Sequence, residues 1–151
     1  MSTQNIVALT IALILILFAW SYIQTDSNSE GVQEFYTQAE IKDIKINPGE
    51  VNLYYVWLRG CPACAAQDLW LQEMKDKYPG LNVYKFNIST EANLLNDLAE
   101  AYEVPRTARG AVPANCVGDE FFIGFDAAGM EAKIKQCLAE DCLDPKEKLN
   151  I

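Results

Sequence analysis

The sequence predicts an α/β layer fold, a mixed sheet flanked by helices, set behind one N-terminal transmembrane helix. Three observations predict it. Residues 6–23 form an uncharged apolar run. Two segments rich in β-branched and aromatic residues, VNLYYVWL and LNVYKFNI, are each followed by a stretch with helical periodicity. Gly118-Asp119 then separates two short apolar segments as a hairpin turn would. The elements read β-α-β-α-β-β-α.

No charged side chain occurs from Met1 through Ile23, and Ile6 to Ile23 is long enough to cross a hydrocarbon core as a helix. Trp20 and Tyr22 sit at its far end, where amphipathic aromatics favour the membrane interface. A cleaved signal peptide is the competing reading. Against it stand the length of the run, the lack of a basic leading region and the lack of a small-x-small site in FAWSYIQ. Residues 1–25 therefore read as an anchor. Residues 26–48, which include the polar SNSEG, read as a linker and lead-in, 49–143 as the folded domain, and 144–151 as a polar tail.

Within the domain, VNLYYVWL is apolar on both faces and suits a central buried strand. A helix follows from about Pro62 to Tyr78, with Ala66, Leu69, Trp70, Met74 and Tyr78 at helical spacing. That reading leaves Asp68, Glu73, Lys75 and Asp76 on a solvated face. Pro79-Gly80 ends the helix, and LNVYKFNI is the second strand. Ser89 or Thr90 is expected to cap a helix carrying Leu94, Leu95, Leu98, Ala101 and Tyr102. The loop VPRTARGAVP leads to the strand ANCV, and the turn at Gly118-Asp119 leads to EFFIGF. Asp126 is expected to cap the last helix, whose apolar residues are Met130, Ile134 and Leu138.

The formal net charge is -9, and Lys and Arg form no basic stripe. Phosphate backbones would repel such a chain, so nucleic acid is not an expected partner. There is no histidine. That excludes imidazole bases, Ser-His and Cys-His catalysis, and zinc sites that need His. No organic cofactor is called for.

The chemistry concentrates in Cys61-Pro62-Ala63-Cys64. If the helix begins at Pro62, proline occupies the first helical position, where its missing N–H costs nothing. Cys61 is then the N-cap, and free backbone N–H groups and the helix dipole stabilise its thiolate. Cys64 lies one turn in and is more shielded. The first sulfur is placed to attack a disulfide and the second to resolve the mixed disulfide. The alternatives are a structural disulfide and a metal site. Zinc would need two more ligands, and neither a second C-x-x-C nor a histidine exists; two thiolates would serve copper(I). Cys137 and Cys142 are spaced to close a structural disulfide at the end of the last helix, with two free thiols or a second redox pair as alternatives. A structural disulfide implies an oxidising compartment. Cys116 reads as a small buried hydrophobe.

A strand followed by C-x-x-C at the start of a helix resembles the thioredoxin superfamily, and the resemblance covers about Val51 to Leu138. It implies a thioredoxin-like fold, with GAVPANCV supplying a cis bond at Val112-Pro113 that positions the substrate chain, and Lys85 in VYKFNI near the active site. Gly60 stands where thioredoxins carry Trp, and Tyr55 stands in register with their buried acid, so the proton-transfer role has no residue assigned to it. Pro at the first place between the cysteines is closer to glutaredoxins and bacterial periplasmic disulfide-forming enzymes. The loop before Pro113 is longer and holds Arg106 and Arg109. The expectation is a membrane-tethered thiol–disulfide oxidoreductase acting on protein thiols or disulfides, with a membrane redox partner and the domain outside the cytoplasm. The alternative is a membrane-anchored copper(I) chaperone or apo-protein binding module.

Overall fold

The computed structural model describes residues 35–151. The anchor expected over 1–25 lies outside the described residues, and among those described no helix is long and apolar enough to cross a membrane. Strand β1 (Val51–Trp57) is the centre of a mixed sheet with strands β2 (Leu81–Asn87), β3 (Ala114–Val117) and β4 (Glu120–Ile123), in the order β2-β1-β3-β4. β1 pairs parallel with β2 from Val51↔Leu81 to Trp57↔Asn87, and antiparallel with β3 from Leu53↔Val117 to Val56↔Ala114. A parallel pair cannot be joined by a tight turn, and here helix α1 (Pro62–Lys77) makes the crossover.

Strand alternation divides the core. Tyr54 and Val56 point to one face, where they meet Phe86, helix α2 (Ala92–Ala101) through Leu94, Leu95 and Leu98, and Ile41 and Ile44 of the lead-in. Leu53 and Tyr55 point to the other, where they meet Cys64, Leu71 and Met74 of α1 and Ile134 of helix α3 (Ala127–Ala139). With both faces covered, β1 reads as a continuous apolar run, which is why it was legible as a central strand.

Two helical details depart from the sequence reading. The buried face of α1 is Cys64, Gln67, Leu71 and Met74, whereas Leu69 is 66% exposed. The buried face is rotated from the one the apolar count picks out, with Cys64 and Gln67 turned inward and only Met74 common to both sets. Neither Ser89 nor Thr90 caps α2; Asn87 instead accepts from the Ser89 N–H (3.0 Å) and the Thr90 hydroxyl (3.2 Å), and Glu91 is the N-cap residue. Glu91 accepts from the Gln38 N–H at 3.0 Å, tying the helix start to the lead-in. Asp126 does cap α3, accepting from the Gly129 N–H at 3.0 Å. β4 stops at Ile123, since the next residue, Gly124, has φ 82° and leaves the extended conformation, although its N–H still reaches the Pro113 carbonyl opposite at 2.8 Å.

The packed unit extends past residues 49–143 at both ends. The lead-in forms a 3-10 helix (Gln38–Asp43) whose Ile41 is fully buried. At the other end Asp144 is buried, caps the short helix α4 (Pro145–Lys148) through the Lys146 N–H (2.8 Å), and accepts from Asn52 Nδ2 (2.7 Å). The Lys146 ammonium donates to the carbonyls of Lys42 and, at 3.0 Å, Ile44, so the two terminal segments close on one another. Burial is the first cause holding the Asp144 carboxyl above its usual range. A disulfide joins Cys137 and Cys142 at the end of α3. Gly118 faces it: a Cβ there would stand 2.8 Å from Cys137 Sγ, and φ is 58°, so glycine is required on both counts.

Glu131 of α3 bonds the end of α1, taking Lys77 Nζ at 2.8 Å and the Tyr78 hydroxyl at 2.7 Å. These bonds, Lys77 first, lower its carboxyl from 4.5 to about 2. A carboxyl depressed in the folded state contributes stability above its unfolded value and loses it as pH falls through its folded one. Glu131→Gln should therefore unfold at lower temperature than the unaltered protein at neutral pH. The gap should close between about pH 4.5 and about pH 2 and shrink with added salt, as thermal melts across that range would show.

Candidate active site

The turn after β1 brings Cys61 to the start of α1. Gly60 takes φ 79°, Cys61 is the extended N-cap residue (φ −81°, ψ 114°), and Pro62 opens the helix. The Cys64 N–H donates to Cys61 Sγ at 3.1 Å, the contact that stabilises a thiolate there. The two cysteines are joined in a disulfide, with Cα atoms 5.2 Å apart. They are unequal: Cys64 is 2% exposed and Cys61 is partly exposed beside the exposed Pro62 and Ala63. Only one sulfur is open to a large partner.

The Val112–Pro113 peptide bond is cis, Pro113 is buried, and the Val112 carbonyl oxygen lies 3.9 Å from Cys61 Sγ. The loop before β3 thus ends against the dithiol and leaves its backbone at the outer sulfur. Of the two loop arginines, Arg109 folds back and donates from Nε to the Val104 carbonyl at 2.8 Å, while Arg106 is exposed at the start of a 3-10 turn.

Beneath this surface Gln67 and Asn115 are both fully buried and exchange two amide hydrogen bonds, of 2.5 and 3.1 Å. They fasten α1, three residues after Cys64, to β3, two residues after Pro113. Truncating one partner strands the other in a dry interior. Gln67→Ala should cost about 3 kcal/mol of stability, from the orphaned Asn115 amide and the lost packing, read as a lower urea midpoint with an unchanged slope.

A charged pair also joins β2 to α1, one helical turn after Cys64. Lys85 on β2 is 6% exposed and its Nζ is 2.6 Å from Asp68 Oδ1 on α1. The same ammonium lies 5.2 Å from the Trp57 ring, 5.4 Å from that of Tyr55 and 5.8 Å from that of Phe35, which stacks on Trp57 at 5.3 Å. The Tyr55 hydroxyl donates to the Cys64 carbonyl at 3.1 Å. Burial first, then the Asp68 charge, push the Tyr55 phenol well above its usual value. Asp68 is therefore no part of a solvated face. The signal that would have found it was present: it follows Cys64 by four residues, on the same side of a helix, opposite a strand lysine. Cys116 is fully enclosed in the opposite core, and burial raises its thiol well above the ordinary range, so it does not share in this chemistry. Among the described residues no group of three or more His, Cys, Asp or Glu side chains is placed to hold a metal ion.

Solved structures similar to this chain include several thioredoxins. Mitochondrial thioredoxin 3 of Saccharomyces cerevisiae in its oxidised form superposes with a TM-score of 0.51 at 20% identity, covering 66% of this chain and 90% of that one. Fasciola hepatica thioredoxin gives 0.52 at 17% identity over 66% and 93% of the two chains, and Trypanosoma brucei brucei thioredoxin 0.53 at 9% over 71% and 93%. No protein-family model and no curated protein sequence matches the chain. At these identities the likeness establishes the fold: a thioredoxin-like α/β fold with a mixed four-stranded sheet. Fold and site together define a thioredoxin-like protein carrying a C-P-A-C pair at the head of α1.

Proposed function

We propose that the protein is a thiol–disulfide oxidoreductase that exchanges disulfides with protein substrates through Cys61 and Cys64. The observation that carries this reading is the unequal dithiol at a helix N-terminus, with Cys61 capping α1 and partly exposed and Cys64 enclosed behind it. In the reducing direction the Cys61 thiolate attacks a substrate disulfide, expels one substrate thiolate and forms a mixed disulfide. Cys64 then attacks Cys61 Sγ, closes the intramolecular disulfide and releases the second substrate thiolate. The Val112 carbonyl and cis Pro113 position the substrate chain beside Cys61. Residues 6–23 tether the domain to a membrane, its redox face outside the cytoplasm and within reach of a membrane redox partner. The Cys137–Cys142 disulfide supports that side of the membrane, since such bonds persist in oxidising compartments.

The test is the reduction potential of the Cys61–Cys64 couple in the full chain, held in detergent and equilibrated against glutathione. A reversible couple near about −270 mV identifies a reductant, and one near roughly −120 to −180 mV an oxidase or isomerase. No reversible couple, with stoichiometric copper(I) held by the reduced protein, would replace this reading with that of a copper carrier.

A further inference from the structure

Thiol–disulfide exchange needs a thiolate at each attack, and Cys64 is only 2% exposed. An enclosed site disfavours a bare thiolate and offers no bulk water to take its proton. In register with Cys64 on the sheet side, β1 supplies no carboxylate: Tyr55 stands there, with its hydroxyl on the Cys64 carbonyl. The carboxylate comes instead from the helix itself. Asp68 follows Cys64 by one turn, and helical side chains lean toward the N-terminus, which carries this carboxylate back over the turn that holds Cys64. Two elements hold it there. Lys85 of β2 grips Oδ1 at 2.6 Å, and α1 fixes its backbone. Arg59, in the turn before Cys61, is exposed, and Arg109 is committed to the Val104 carbonyl.

Packing does not call for a lysine at this position, since a long apolar side chain would fill the same aromatic box of Phe35, Tyr55 and Trp57. We infer that Asp68, held by Lys85, is the proton acceptor for Cys64 in the resolving step, the role that Tyr55 cannot fill on β1. This rests on the oxidoreductase reading. Asp68 takes the thiol proton and the Cys64 sulfur bonds to Cys61 Sγ. The bond from Cys61 to the substrate sulfur breaks, and its electron pair leaves on the substrate thiolate, which is reprotonated from Asp68 or water. The dithiol is oxidised by two electrons and the substrate disulfide reduced by two.

The test is rapid mixing of the reduced full chain with dithiobis-nitrobenzoate, following release of the coloured thiolate. The first thiolate marks attack by Cys61, at a rate that scales with disulfide concentration. The second marks resolution by Cys64, at a rate that does not. Asp68→Asn should slow the second phase at least about tenfold and remove a bend from its pH profile while sparing the first phase. Asp68→Glu should restore much of the rate. An unchanged second phase in Asp68→Asn overturns the assignment, as does equal slowing of both phases without rescue by Glu. Unaltered protein that releases no thiolate in two phases overturns the underlying oxidoreductase reading instead.

Discussion

Replacing Cys61 by serine should abolish disulfide exchange, a loss of at least about a thousandfold, whereas replacing Cys64 by serine should leave the first attack intact and trap the substrate. The asymmetry follows from burial. Cys61 sits at the partly exposed N-cap of α1, where the Cys64 N–H points at its sulfur from 3.1 Å. A serine hydroxyl there is un-ionised at neutral pH and is a poor nucleophile toward sulfur. Cys64 is enclosed, so a protein disulfide cannot reach it directly, and Cys61→Ser leaves no second route. In Cys64→Ser the Cys61 thiolate still forms the mixed disulfide, but no neighbouring sulfur displaces the product. Turnover of a protein disulfide measures the first variant, and recovery of disulfide-linked conjugates from cells measures the second. Retained exchange by Cys61→Ser would remove the proposed nucleophile, and a Cys64→Ser variant that captures nothing would count against the two-step mechanism.

The strands and the dithiol were legible because both are written locally. β1 is apolar on both faces since both faces are covered, and C-P-A-C announces its own helix start. The features that sequence reading missed depend on distant partners. Gln67 has no place in an apolar count, and it is buried because Asn115, 48 positions away, satisfies its amide in the core. Leu69 counts as core by spacing, yet the helix is rotated so that Cys64 and Gln67 face the sheet. Asp68 reads as solvated until Lys85 is placed across from it. Asn87 turns the chain ahead of α2, and Glu91 is drawn off by Gln38, so the expected hydroxyl cap never forms. The last residues read as a polar tail because nothing local shows that Asn52 and the Lys42 and Ile44 carbonyls are waiting for Asp144 and Lys146.

Removing the Cys137–Cys142 bridge by a double Cys→Ala change should lower stability by about 2 kcal/mol and Tm by roughly 8 °C, without changing the potential of the Cys61–Cys64 couple. The loop it closes is short, with a sequence separation of 5, so its entropic contribution falls at the low end of the usual range. Its placement matters more than its length. Cys137 is 5% exposed against the Leu53–Val117 side of the sheet, Gly118 has no room for a side chain beside its sulfur, and Asp144 follows Cys142 by two residues into its buried cap. The bridge therefore holds the path along which α4 returns to Asn52 and the lead-in. A bond so enclosed should resist a glutathione buffer that opens Cys61–Cys64, since structural disulfides have potentials below about −300 mV. Alkylation after mild reduction and denaturation should then label Cys61, Cys64 and the free Cys116, and spare Cys137 and Cys142. Labelling of all five cysteines under those conditions would make Cys137 and Cys142 a second redox pair, able to pass electrons to the first, and would remove the bridge as support for an oxidising compartment.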